Sequence, residues 1–395
     1  MRAGTMIVAL GLFLVTGAVN LELPMYARYA EDAGLSAGGL SLSLAGYVGG
    51  LLPVLILLGG VSDRVGRRPT ILAALACSGV ATAFVIAFPG LSGLAAARWF
   101  QGFGVALGMG AATAWLGELL GPNGPARAAR ITGWTTTTGF GAGAVLTAGV
   151  LRLGPADVPW SYPLWLALIA VAALAVSRVE EPAPPSAANP ILRLPAFPLG
   201  SGASAISIGL GWTVAGIVVA VLPGTLRSIG GDLWSGPTLM LLLAAGALAQ
   251  LHARTLPGAV ALRVGAVLLP VGTGLIALGV ATHSVAIVIA GALVAGTSTH
   301  GYGYLGGLTW VSELPGSRAR AISGYFLVAY LGFGAPAVAM GFAVDALGAA
   351  WAYAGLASVI TAGCSALYWW LTTAAPHPSP APEGMLVECA PFSSP

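Results

Sequence analysis

The feature that most constrains this chain is a succession of apolar runs, each about 20 residues or longer, that follow one another with almost no charge inside them. The hydrocarbon core of a bilayer is about 30 Å thick, and an α-helix needs about 20 apolar residues to cross it. Twelve such runs can be marked, at 5–28, 39–59, 70–89, 91–117, 130–153 and 159–178, then at 196–222, 236–253, 259–281, 284–312, 319–343 and 347–374. Only 7% of the 395 residues are charged and 57% are apolar, whereas a soluble domain carries roughly 25% charge. Lipid is therefore the solvent of this chain, and the short intervals between runs leave no room for a large soluble domain. Arg2 ahead of the first run resembles the start of a signal peptide, but that run outlasts a signal core and the second follows at once, so it is read as a helix. The expected fold class is an all-α integral membrane protein of twelve transmembrane helices.

A net charge of +3 offers no basic stripe to a nucleic-acid partner. Cys77, Cys364 and Cys389 are scattered, as are the histidines at 252, 283, 300 and 377, so neither a disulfide framework, a metal set nor a cofactor is expected. The chain has no phosphate-binding P-loop and no Ser-His pairing or His/Asp/Glu cluster, which argues against an ATP-driven pump and an enzyme. A receptor would add a signalling domain, for which no length remains. Arginine placement sets the orientation. With a cytoplasmic N-terminus, Arg2, Arg64, Arg67, Arg68, Arg127, Arg130, Arg178, Arg193, Arg254, Arg263, Arg318 and Arg320 fall inside, against Arg28, Arg152 and Arg227 outside. Both termini are therefore expected in the cytoplasm, with the chain in the cell (inner or plasma) membrane.

The chain repeats itself. Trp115-Leu-Gly-Glu118, Arg127-Ala-Ala-Arg130 and Gly139-Phe-Gly-Ala-Gly143 return as Trp310-Val-Ser-Glu313, Arg318-Ala-Arg320 and Gly332-Phe-Gly-Ala-Pro336. Two six-helix halves in one orientation, at 1–178 and 196–374, place a cavity between them near mid-bilayer. The Pro-rich polar run within 179–195 reads as a cytoplasmic linker, and 375–395 as a disordered tail.

Between the second and third runs stand Gly59, Asp63, Arg64, Gly66, Arg67 and Arg68 in the order Gly-Gly-Val-Ser-Asp-Arg-Val-Gly-Arg-Arg, and the fourth run carries Arg98-Trp-Phe-Gln101-Gly102-Phe-Gly104. Both resemble signatures of the major facilitator superfamily. The resemblance implies two pseudo-symmetric six-helix bundles and alternating access by rocking of one half against the other. It also implies a cytoplasmic gate in which Asp63 faces the N-terminus of the eleventh helix. The matching loop of the second half has Gln250 where the Asp would stand, so gating should differ between halves. The fifth run resembles the antiporter signature, with Phe140 in place of its proline.

The remaining polar residues are read from their positions. Glu22 and Arg98 are isolated charges in antiparallel runs at similar depth, and such intramembrane charges are expensive unless paired or wet, so they form the expected proton-coupling pair. Desolvation and a nearby guanidinium act on such a carboxyl in opposite senses, which suits a group that takes up and releases protons. Glu118, Arg127, Arg130, Glu313, Arg318 and Arg320 are expected in a cytoplasmic charge network. Gln101, Gly102, Gly104, Gly139 and Gly143 are assigned to helix packing, and Asn20, Trp212, His300, Tyr302, Tyr304, Tyr325 and Tyr330 to the substrate cavity. Trp310, near a span end, is read as a lipid-interface residue. The expected function is proton-coupled export of a small amphiphilic molecule by a monomer, with small-molecule substrate, protons and lipid as its partners. Proton-coupled uptake of a nutrient or metabolite is the alternative, and a non-transporting membrane receptor or enzyme a distant one.

Overall fold

Each apolar run becomes a helix. The computed structural model describes residues 3–121, 124–182, 186, 191–192, 194–315 and 317–373, and all of their side chains except those at 125, 126, 318 and 319. In chain order the helices are α1 (Ala3–Asp32), α2 (Ala37–Leu57), α3 (Arg67–Ala87), α4 (Leu91–Leu120), α5 (Gly124–Leu151) and α6 (Ser161–Val176). The second half follows with α7 (Gly202–Ala220), α8 (Asp232–Ala253), α9 (Gly258–Ala281), α10 (Val285–Ser312), α11 (Arg318–Leu347) and α12 (Ala349–Thr373). Among the described residues, ten of the twelve are long and apolar enough to cross a membrane. Of the others, α6 is apolar but shorter, and α5 opens with Arg127 and Arg130 and carries four consecutive threonines, Thr135 to Thr138.

Two boundaries depart from expectation for backbone reasons. Residues 194–200 are not helical, because Pro195 and Pro198 lack the amide donor a helix interior needs. Helix α5 starts at Gly124 rather than at 130, since Pro125 in a first turn costs no hydrogen bond. Two helices are also interrupted. In α1 the regular helix stops at Val19 and resumes through a 3-10 turn at Leu23–Met25, because Pro24 cannot donate to the carbonyl one turn back. In α10 the turn Thr297–Tyr302 widens to a π-helix, with Gly301 at φ −110°, ψ −105°.

The outside of the molecule is apolar. Leu10, Leu168, Val171, Val271, Val359 and Trp369 stand exposed on four of the helices, as side chains do when hydrocarbon is the solvent. Inside, hydroxyls such as those of Ser78, Thr82 and Thr273 donate to carbonyls one turn back in their own helices, so they need no water. Glycines set the closest crossings. A Cβ on Gly102 of α4 would collide with the Tyr47 carbonyl of α2 and lie 2.8 Å from the Leu51 nitrogen. In the second half, one on Gly272 of α9 would lie 2.6 Å from the Cα of Ala295 in α10.

The two bundles touch at the end opposite the arginine-rich loops. There the Asp345 carboxylate of α11 accepts the Ala37 and Gly38 amides that open α2, at 2.9 Å each. Arg227 after α7 pairs with Glu31 of α1, and Gly236 of α8 comes so near α5 that a Cβ would lie 2.6 Å from the Ala144 carbonyl. Toward the arginine-rich end the bundles part.

The connection between halves is pinned at both ends by the repeat-related tryptophans. The Trp115 indole donates to the Glu180 carbonyl (3.1 Å) and the Trp310 indole to that of Gly200 (2.9 Å), so Trp310 is a clamp rather than the expected lipid-interface residue. The Glu181 carboxylate accepts the Arg68 amide at the N-terminus of α3, where the helix dipole favours an anion. The expected tail at 375–395, Arg2, Arg193 and the Arg318 side chain lie outside the described residues.

Candidate functional site

The interruption in α1 places Glu22 against α4. Its carboxylate lies 3.6 Å from Arg98 Nη2, with side-chain exposures of 0% and 2%. Gln101, one turn further along α4, donates Nε2 to both carboxylate oxygens (3.1 and 3.3 Å) and to the Ala18 carbonyl (3.0 Å). The Arg98 guanidinium rests over the Tyr26 ring, 5.1 Å from its centroid. Arg98 Nε and Nη2 are buried without a hydrogen-bond partner among the described residues, and so is Gln101 Oε1. Gln101, assigned to packing by sequence, is therefore a hydrogen-bonding partner of the buried carboxylate. A half-turn of its amide would present Oε1 in place of Nε2, so the same side chain can accept from a protonated Glu22.

Arg98 borders a small central cavity of about 80 Å³ between the halves. Asn20 of α1, Trp212 of α7, His300 of α10 and Tyr330 of α11 also line it, among apolar walls that include Val48, Phe140 and Phe333. Glu22 does not line it. Asn20 is tied to α5 through Nδ2 to the Phe140 carbonyl at 3.0 Å, leaving its Oδ1 buried without a described partner. Trp212 meets Tyr330 edge-on at 4.9 Å between ring centroids, with Phe333 at 6.2 Å and His300 at 6.1 Å. Its indole nitrogen has no hydrogen-bond partner among the described residues. Beyond Tyr330, which borders both spaces, a wide cavity of about 950 Å³ runs to Asp63, Arg67 and Glu118 at the arginine-rich end. The molecule is thus open toward that end and shut at the other.

Not every residue assigned to the cavity reaches it. Tyr304 lines the wide cavity, but Tyr302 turns away and hydrogen-bonds His252 Nδ1 at 2.8 Å. Tyr325 is buried with its hydroxyl donated to the Tyr304 carbonyl at 2.7 Å, and lines neither cavity. The widened turn of α10 shifts the facing of every side chain near it, which a regular helical reading misses. That turn is held by Gln250, whose Nε2 donates to the His300 carbonyl at 2.5 Å. The sequence carries a signal for it, since Gln250 occupies the place that Asp63 holds in the first half.

In the gate motif, Gly66 adopts φ +110°, a region L side chains rarely adopt, and Gly59 lines the wide cavity. Asp63 pairs with Arg67, which also binds Glu118 at 3.0 Å, while Arg64 is exposed and Arg68 reaches the Ser177 carbonyl at 3.2 Å. Among the described residues Asp63 thus has a partner within its own motif, while the side chains at 318 and 319, where α11 starts, lie outside the described residues. Of the expected charge network the structure describes every side chain but that of Arg318. Glu118 is held by Arg67, whereas Arg127, Arg130 and Glu313 stand exposed, and Arg320 donates Nε to the Leu194 carbonyl at 3.0 Å. The packing glycines lie at contacts: Gly104 against Ala74 and Ser78, Gly139 against Phe13 and Thr16, and Gly143 against Gly17.

A family model described as Major Facilitator Superfamily matches residues 6–205. The uncharacterized MFS-type transporter YdgK of Bacillus subtilis (strain 168) is 32% identical over 102 residues, which span 25% of this chain and 25% of that protein. The fold is similar to that of the nucleoside transporter NupG, with a TM-score of 0.71 at 13% identity, covering 93% of this chain and 99% of that one. The human organic anion transporter MFSD10 (TETRAN) gives a TM-score of 0.66 at 17% identity, covering 93% and 99%.

Proposed function

The chain belongs to the major facilitator superfamily, and from that premise we propose that this multi-pass membrane protein is a proton-coupled carrier of a small amphiphilic molecule, working by alternating access. The observation that carries the proposal is the Glu22–Arg98 pair, buried from solvent yet bordering the cavity between the halves through its arginine. An intramembrane carboxylate is costly to keep, and one held against a single guanidinium and an amide of either polarity suits a reversible proton site. The solute site is the central cavity, the arginine-rich end is cytoplasmic, and a single copy in the inner membrane suffices, since one chain supplies both halves of the cavity.

Export in exchange for protons requires solute and proton to compete, whereas uptake together with protons requires them to bind together. One observation favours the second reading. The carboxyl is withdrawn behind the cavity wall and only the guanidinium borders the space, so a bound solute does not displace the proton. Reconstitution into liposomes with an imposed pH gradient tests the coupling. The parent protein should accumulate solute against its concentration gradient, and Glu22→Gln should retain only downhill exchange that ignores the pH gradient. Equal gradient-driven accumulation by the variant would refute the assignment.

A further inference from the structure

We infer that the solute is a small organic monoanion with an aromatic or alkyl body, its acid group bound by Arg98 while Glu22 holds a proton. The inference deepens the proton-coupled reading above and rests on it. It follows from which member of the buried pair borders the cavity. A cation entering the central space would meet the guanidinium first, with the carboxylate screened behind it; an anion meets its counter-charge directly. The unsatisfied groups agree. Arg98 Nε and the Trp212 indole nitrogen are donors buried without a described partner, and both side chains line the cavity. Donors of this kind suit the oxygens of a carboxylate, and a guanidinium can engage two of them at once. The rest of the wall, including Leu44, Val48, Phe140, Phe333 and Ala337, suits an uncharged body.

Coupling then needs no moving part beyond the pair. With Glu22 ionised, the pair is neutral and the guanidinium is already compensated. When a proton binds a carboxylate oxygen of Glu22, Arg98 is left as an uncompensated buried charge, which the anion relieves. The net charge of the loaded site therefore equals that of the empty one. Proton and anion each raise the affinity of the other by the same factor. The groups facing the Glu22–Arg98 pair are Tyr26, over which the guanidinium rests, and Tyr29 from α1, Gln101 from α4, and Tyr162 from α6. Among the described residues α5 and α8 bring no ionisable side chain to this level, so Arg98 is the one fixed charge that answers to the proton.

The test uses the purified full-length chain in detergent and three probes of one shape, benzoate, benzamide and benzylammonium, with binding followed by tryptophan fluorescence. Benzoate should bind about tenfold or more tightly at about pH 5.5 than at about pH 8. Benzamide should bind weakly and independently of pH, and benzylammonium least. Glu22→Gln, which fixes the uncharged form, should bind benzoate at both pH values as the parent does at the lower one. Arg98→Lys, which keeps the charge and loses the fork, should weaken benzoate more than benzamide. Preference for benzylammonium, loss of benzoate binding in Glu22→Gln, or no benzoate binding at millimolar concentration overturns the anion assignment. None of these results touches the coupling itself, which fails separately if no pH gradient drives any solute in liposomes.

Discussion

At the scale of single residues, Glu22 and Arg98 are two charges buried almost completely against each other. Two buried charges are tolerable only as a pair, and removing one partner typically costs about 3–5 kcal/mol because the other is left uncompensated. Arg98→Met should therefore lower thermal stability in detergent by about 3 kcal/mol, and adding Glu22→Gln should restore most of it. Additive losses in the double variant would mean that the two residues act independently. Asp63→Asn should leave folding intact and slow transport, since Arg67 keeps its Glu118 partner but loses the carboxylate one turn away; unchanged turnover in liposomes would remove Asp63 from the gate. The meeting of Glu22 and Arg98 was legible in the sequence, because isolated charges in apolar runs are rare and their depths follow from helical rise. Which of them borders the cavity was not, for that depends on how α1 turns at its interruption. The role of Gln101 was not legible, because an amide beside two glycines in a signature motif reads as packing until its partner is placed.

At the scale of helices, close crossings and their open counterparts lie on the same elements. Gly102 of α4 admits no Cβ against α2, whereas Gly110 on the same helix has nothing within 4 Å of a Cβ and lines the wide cavity. Gly102→Val should destabilise by about 1–3 kcal/mol through forced separation of α2 and α4, while Gly110→Ala should leave the melting temperature unchanged. Similar melting curves for the two variants would contradict the packing assigned to α4. The twelve runs were legible as helices because apolar length alone decides that a segment crosses a bilayer. The interruption at Thr297–Tyr302 was not, since polar residues alone do not mark a widened turn and the Gln250 side chain that bonds it lies about fifty positions away in the chain. That single break accompanies the difference between His300, which reaches the cavity, and Tyr302, which does not.

At the scale of the whole molecule, the two halves are joined at one end by Asp345 on the start of α2 and by Arg227 on Glu31, and separated at the other by the wide cavity. The repeat in the sequence announced two related bundles and a space between them, but not the end at which the space opens, because both arrangements use the same helices. Alternating access requires these roles to exchange. The most direct test places spin labels in a chain whose cysteines are replaced by alanine. One pair sits at Val65 and Leu251 near the arginine-rich end, and another at Leu153 and Leu347 near the opposite end, all exposed positions. On adding protons and benzoate together, a second population should appear in which the first distance shortens and the second lengthens, and Glu22→Gln should show it without any dependence on pH. Distances that stay fixed under every condition, or that lengthen at both ends together, would contradict the account.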